Sequence, residues 1–171
     1  MSIEYRNGDV LNSGESIVVH GCNCFCTMGS GIARQVRVEY PDAYEADLRT
    51  IYGDVTKLGT FTTAVGQNGT RIINAYTQYE YTRNGINADY GAIEKVMRKI
   101  CESYPDAKVI AMPKIGAGLA GGDWSIIEDI LKRVSDEYHR VFRVYLYQNV
   151  YPVPQTINVK DAFNAAQEKE G

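Results

Sequence analysis

The chain has 171 residues, 44% apolar and 23% charged, and its 18 Lys plus Arg against 21 Asp plus Glu give a formal charge of −3. That size and balance fit one globular domain and exclude disordered, collagen-like and membrane-embedded compositions. The slight acidity also excludes a basic footprint for non-specific nucleic-acid or acidic-membrane binding, so an anionic ligand has to be held by something other than net charge.

The opening Met1-Ser2-Ile3-Glu4-Tyr5-Arg6 has no apolar signal region and no run approaches membrane-span length, so a cytoplasmic protein with no membrane partner is expected. The spacing predicts a first strand over Ser2–Arg6, closed by an Asn7-Gly8 turn. Asp9, just after it, could accept from the exocyclic amine of a base, or be an ordinary turn aspartate. A second strand, Ser16–Gly21, ends in His20-Gly21-Cys22-Asn23-Cys24-Phe25-Cys26. Alternate positions on an extended strand lie about 6.6 Å apart, whereas zinc ligands must lie within about 4 Å of each other, so no metal is expected there. The four cysteines read as thiols. A Cys nucleophile lacks a nearby base, since the other histidine, His139, is far along the chain. His20, with its ordinary pKa near 6.5, could serve as acid or base beside Asn23, or be a satisfied buried histidine.

Met28-Gly29-Ser30-Gly31-Ile32-Ala33 is a glycine turn opening a helix that presents Ile32, Val36 and Tyr40 on one face. Pro41 breaks it, and a second helix is expected from Asp42 to about Ile51, with Asp42 and Glu45 as a capping box. Strands follow at Thr60–Val65 and Arg71–Thr77 around an Asn68-Gly69 turn, then a helix through Ile93, Val96, Met97 and Ile100 and a strand at Lys108–Met112. The loop Ile115-Gly116-Ala117-Gly118-Leu119-Ala120-Gly121-Gly122-Asp123-Trp124 leads from that strand into a helix carrying Ile127, Leu131 and Val134, with Ser125 and Glu128 as its capping box. Backbone N–H groups in such a turn can approach a phosphate, and the helix dipole adds about half a positive charge. The last strand, Val141–Tyr147, ends in Tyr147-Gln148-Asn149 without the carboxylate that a dinucleotide-binding fold would need, which weighs against a nicotinamide-dependent oxidoreductase. Residues 150–171 read as an extension, with prolines 152 and 154 and a short polar helix from Lys160 to Lys169.

Strand-like and helix-like periods alternate, so an α/β domain of six strands with helices on both faces is expected. Gly8-Asp9-Val10, the run Val18-Val19-His20-Gly21-Cys22-Asn23 leading into Gly29-Ser30-Gly31-Ile32-Ala33, and the loop from Pro113 to Trp124 together resemble a macro domain, the ADP-ribose-binding α/β module. The resemblance covers Ile3 to about Tyr147 and implies a three-layer α/β/α fold with a central mixed six-stranded sheet over residues 1–149. The stretch from His20 to Pro41 is most similar to the yeast-type ADP-ribose-1″-phosphate phosphatase branch, which implies a metal-independent hydrolase without cofactor, acting as a monomer, with His20 and Asn23 at the reacting end. By the same resemblance Asp9 and Val10 would hold the adenine, and Tyr147 would flank it. Amides of Gly29, Ser30, Gly31, Ile32 and Ala33 would cradle the diphosphate with those of Gly116, Ala117, Gly118, Leu119, Ala120 and Gly121, and Thr77 would stand beside the ligand. Viral-type relatives have asparagine where His20 stands and histidine where Met28 stands. The glycine loop is also similar to the glycohydrolase branch. That branch carries a lysine after the fourth strand and an aspartate in the second loop, where this chain has Tyr76-Thr77-Gln78 and Ala120. Removal of ADP-ribose from a modified macromolecule, or non-catalytic capture of ADP-ribose, are the alternatives.

Overall fold

The computed structural model describes residues 3–82 and 85–147. The expectations for residues 148–171 lie outside them. In chain order the elements are β1 (Ile3–Asn7), β2 (Ile17–Cys22), α1 (Gly31–Glu39), α2 (Pro41–Leu48), β3 (Phe61–Val65), β4 (Arg71–Tyr76), α3 (Tyr90–Ser103), β5 (Val109–Met112), α4 (Trp124–Tyr138) and β6 (Val141–Leu146), with 3-10 turns at Val10–Asn12 and Val55–Lys57.

The six strands form one sheet in the order β1-β6-β5-β2-β4-β3. β3 runs antiparallel to β4 and every other pairing is parallel, which makes the sheet mixed. Parallel strands covered on both faces need apolar residues at successive positions. Ile17-Val18-Val19, Ile72-Ile73 and Ile110-Ala111-Met112 supply them, all buried. On one face Val19, Ile73, Ile110 and Val144 pack with Ile93, Met97 and Ile100 of α3 and Ile127, Leu131 and Val134 of α4. On the other, Val18, Cys22, Ile72 and Tyr76 pack with Val36 of α1, Tyr40, and Ala43 of α2. Each fully buried Leu or Ile contributes roughly 1.5–3 kcal/mol over an exposed one, so both helical layers are held mainly by this burial. The layers are those of an α/β/α sandwich.

Two start signals differ from expectation. α2 begins at Pro41, whose missing N–H costs nothing in the first turn, so Asp42 lies inside the helix and Tyr40 occupies the cap position without a side-chain bond to the helix amides. α4 is capped by Asp123, whose Oδ1 accepts from the Ser125 amide at 2.9 Å and the Ser125 hydroxyl at 2.7 Å. Glu128 instead pairs with Lys132 one turn on, at 3.1 Å. Asp123 is the residue left in extended backbone, φ −78° and ψ 115°, which places the boundary two residues before Ser125.

Candidate functional site

The carboxyl ends of β2, β4, β5 and β6 open into a cleft of about 1000 Å³, where ligands of open α/β sheets bind. One wall is the 29–33 turn and the start of α1. The facing wall is the 113–120 loop. Leu119, mostly exposed, reaches across to within 3.6 Å of the position a Cβ on Gly31 would take, so the two loops meet above the cleft.

Backbone donors without acceptors stand on both walls. Asp89 caps α3 and Asp123 caps α4, but at α1 the cap residue Ser30 makes no side-chain bond. The first-turn amides of Gly31, Ile32 and Ala33 are therefore left for a ligand, and the N-terminal end of the helix dipole adds partial positive charge. Opposite them, the amides of Gly118, Leu119 and Ala120 donate to no acceptor among the described residues, whereas those of Gly121 and Gly122 bond within the loop at 3.0 and 2.7 Å. The second of these bonds fixes the loop's shape. A Cβ on Gly122 would stand 2.5 Å from the Gly116 carbonyl oxygen, so only glycine closes this turn. Such opposed rows of N–H groups suit a diphosphate without any basic side chain.

Asn23 lines the cleft at the end of β2, nearly buried. Its Nδ2 donates to Thr27 Oγ1 at 2.7 Å and to the Thr27 carbonyl at 3.3 Å, and its Oδ1 accepts from the Phe25 amide at 2.8 Å. Both amide hydrogens are engaged, so what remains for a ligand is one lone pair on Oδ1. The far end of the cleft, beyond β6, is walled by Tyr145, Leu146 and Tyr147.

The structure thus brings together Asn23, Gly29, Ser30, Gly31, Ile32, Ala33, Gly116, Ala117, Gly118, Leu119, Ala120 and Tyr147. Five expected residues stand elsewhere. Asp9 caps the Val10–Asn12 turn, accepting from the Leu11 amide at 3.0 Å and from Asn12 Nδ2 at 2.6 Å, and Val10 is buried beneath it. That turn stays beside the β6 end, because the Gly8 amide bonds the Leu146 carbonyl at 3.2 Å. Thr77 is buried below the floor, its Oγ1 without a partner among the described residues and 2.6 Å from where a Cβ on Gly21 would be. Gly121 turns away into its own loop.

His20 is the clearest correction. It is fully buried on the Val18 and Cys22 face of β2, under α2, and does not line the cleft. Asn74 Nδ2 donates to the Ala43 carbonyl at 2.9 Å and to Thr62 Oγ1 at 3.0 Å, so its Oδ1 is turned to His20 Nε2 at 2.7 Å and the imidazole is the donor. Burial pushes its pKa down to about 4, against a smaller upward pull from Asn74, and it stays neutral near pH 7. Its ring reaches the cleft only through Cys22, whose Sγ lies 3.6 Å from Nε2.

A third wall had no sequence signal. Gln78, Tyr81, Thr82 and Asn87 complete the cleft beside Asn23. They are held there by amides of Asn87 and Ala88 bonding the Ala120 carbonyl at 2.8 and 3.2 Å, a pairing of residues more than thirty positions apart. Lys114 also lines the cleft, with its Nζ 5.5 Å from the Trp124 ring centroid, where the charge is partly occupied by the ring. Among the described residues no helix is long and apolar enough to cross a membrane.

Comparison with known proteins agrees with this geometry. The profile of the Macro domain family matches residues 19–131. A 17.5 kDa uncharacterized protein of Enterobacteria phage T4 is 39% identical over 145 residues, 80% of this chain and 92% of its own length. The ADP-ribose 1″-phosphate phosphatase of Debaryomyces hansenii is 28% identical over 177 residues, 83% of this chain and 99% of its own. The DNA ADP-ribosyl glycohydrolase of Mycobacterium tuberculosis is 33% identical over 138 residues, 75% of this chain but 37% of its own. Among solved structures, the macrodomain of Mycobacterium tuberculosis DarG superposes with a TM-score of 0.69 at 24% identity, covering 84% of this chain and 96% of that one. Thermosipho africanus DarTG in complex with ADP-ribose superposes at 0.68 and 22% identity, covering 92% of this chain and 43% of that one, a likeness of fold. With the sheet order, the two glycine loops and the family match in agreement, the chain belongs to the macro domain family.

Proposed function

We propose that the cleft binds ADP-ribose and hydrolyses its 1″-phosphate ester to ADP-ribose and phosphate. The observation that carries this reading is the pair of amide rows without acceptors on facing walls of one cleft, the uncapped first turn of α1 and Gly118 to Ala120. The adenine would lie against Tyr145 and Tyr147, and each Asp9 carboxylate oxygen keeps a lone pair for its amine beside the Val10 turn. That leaves the distal ribose at Asn23, where the free lone pair of Oδ1 accepts from a ribose hydroxyl or from the attacking water.

In hydrolysis, water attacks the terminal phosphorus, the bond from phosphorus to the C1″ oxygen breaks, and that oxygen leaves with the electron pair and is protonated by solvent. Phosphoryl transfer demands little covalent help and much positioning and charge stabilisation, which backbone N–H groups supply. His20 is therefore not needed in the step. The phosphatase branch is favoured over removal of ADP-ribose from a macromolecule because fungal phosphatases match along 93–99% of their own lengths. In addition, the stretch Tyr76-Thr77-Gln78, which by resemblance corresponds to the place where the glycohydrolase branch has lysine, carries none.

Phosphate release from ADP-ribose-1″-phosphate tests this reading. Turnover is expected for the unaltered protein, with a loss of about 100-fold in Asn23→Ala through misplacement of the distal end. Equal turnover in Asn23→Ala, or no phosphate at all alongside release of ADP-ribose from a modified macromolecule, would overturn it.

A further inference from the structure

Behind the Asn23 loop lies a pair that the proposed reaction does not use. Lys57 is 7% exposed, a lysine packed against the protein along most of its length. Its Nζ donates to Thr50 Oγ1 at 2.8 Å, points at Cys26 Sγ at 3.7 Å and lies 5.2 Å from the Tyr76 ring centroid. None of the ion pairs among the described residues involves it. The carboxylates of Asp47 and Asp54 balance its charge from further off, and beside Thr50 Oγ1 and the Tyr76 ring the group it touches is the Cys26 sulfur.

Cys26 differs from the other three cysteines. It is partly exposed, whereas Cys22, Cys24 and Cys101 are buried. Burial pushes the thiols of Cys22 and Cys24 up and that of Cys101 up to about 11, which keeps all three protonated and unreactive. Cys26 also sits in the left-handed region, φ 54°, uncommon for a side chain with a Cβ. Its Sγ is anchored by Thr50 Oγ1 at 3.3 Å and the Asp47 carbonyl at 3.4 Å. The next residue is Thr27, which holds Asn23 in the cleft.

We propose that Cys26 is an oxidant-reactive modification site for hydroperoxides, with Lys57 as the positioning residue that holds the oxidised sulfur. In the step, Cys26 sulfur attacks one peroxide oxygen, an S–O bond forms and the O–O bond breaks. Sulfur loses two electrons and the peroxide gains them, and the departing hydroxide takes the thiol proton as water. The product is a sulfenic acid whose oxygen accepts from Lys57 Nζ, replacing a long N–H···S contact by N–H···O. The added oxygen competes for the space that now anchors Sγ against Thr50 and Asp47. The left-handed residue is released, and Thr27 and Asn23 shift with it. That consequence rests on ADP-ribose binding as proposed above; the oxidation itself does not.

The 171-residue chain is treated with hydrogen peroxide in the presence of a 1,3-dione that traps sulfenic acids, and the adduct is located by peptide mass spectrometry. Cys26 is expected to carry the adduct, forming about tenfold faster than at Cys22, Cys24 or Cys101. Lys57→Met should slow it about tenfold and Lys57→Arg restore most of the rate, with each variant's fold checked by thermal unfolding. Adduct spread over the other cysteines, or none at Cys26, overturns the proposal even if Lys57→Met fails to fold; so does an unchanged rate in a folded Lys57→Met. Oxidation should also lower ADP-ribose affinity reversibly, an effect lost in Cys26→Ser. Absence of ADP-ribose binding in the reduced protein would instead strike the proposed function and leave the adduct result standing.

Discussion

Ser30→Asp is expected to weaken ADP-ribose binding by about 100-fold or more while making the free protein slightly more stable. At the cap of α1 the serine side chain bonds nothing, and its backbone is extended, φ −150° and ψ 161°, the conformation in which a cap residue reaches the second or third helical amide. A carboxylate there would accept from Ile32 or Ala33 and interact favourably with the helix dipole, adding about 0.5–1 kcal/mol to stability. The same amides would then be lost to the diphosphate, and a negative charge would stand beside it. Two hydrogen bonds to a charged group, at about 1.5–3 kcal/mol each, are enough for a 100-fold loss. Ser30→Asn, a neutral cap, should fall between the two. Calorimetric titration together with urea unfolding reads both signs, and a variant that is stabilised yet binds as the unaltered protein does would remove the first turn of α1 from the site.

His20 makes the second large prediction, on stability. Its pKa, about 4 in the folded protein, lies below the ordinary value of 6.5. Between those values the unfolded chain binds a proton that the folded chain refuses, so stability rises with pH across this window. The contribution is fully present above about pH 6.5 and is lost as pH falls toward 4, about 1.4 kcal/mol per pH unit and about 3 kcal/mol in all. Carboxylates titrate in the same range. Asp47 is one of them: burial raises its pKa, partly opposed by the Tyr76 hydroxyl bonded to it at 2.7 Å. The quantity to measure is therefore the difference in unfolding free energy between the unaltered protein and His20→Gln, from urea titrations at pH 4.5, 5.5, 6.5 and 7.5. Glutamine can still donate to Asn74 Oδ1 but has no charge to gain, so the difference should shrink as the medium becomes more acid. A pH-independent difference would mean that His20 is not held neutral. Phosphate release per folded molecule should survive the substitution, which separates a core histidine from a reacting one.

His20 also shows where the sequence was legible and where it was misread. The strands could be read because parallel, doubly covered strands demand runs such as Ile17-Val18-Val19, and the observed ends fall within one residue of those expected. The same alternation puts Val18, His20 and Cys22 on one face of β2, so the burial of His20 was present in the pattern. Its nearness to Asn23 along the chain suggested a shared cleft, but β2 ends at Cys22, so Asn23 stands in the loop beyond the strand while His20 stays within it, fully buried. The glycine loops were legible because close backbone approach leaves a compositional trace, as Gly122 against the Gly116 carbonyl shows. The wall of Gln78, Tyr81, Thr82 and Asn87 leaves none. Its position depends on amides meeting the Ala120 carbonyl across the fold, and no local rule of spacing records such a pairing. Nor could chain order distinguish Ser125 from Asp123 as the cap of α4, since both are good acceptors and the choice is made by which of them the loop leaves extended.

The net charge of −3 excluded a basic surface, and the cleft shows how an anion can be held without one. Calorimetric titration of the unaltered protein with ADP-ribose tests that most directly. A 1:1 isotherm that ADP competes away and that Ser30→Asp abolishes or weakens about 100-fold is expected for a site built from helix and loop amides. No heat and no competition, or binding equally tight in Ser30→Asp, would contradict it.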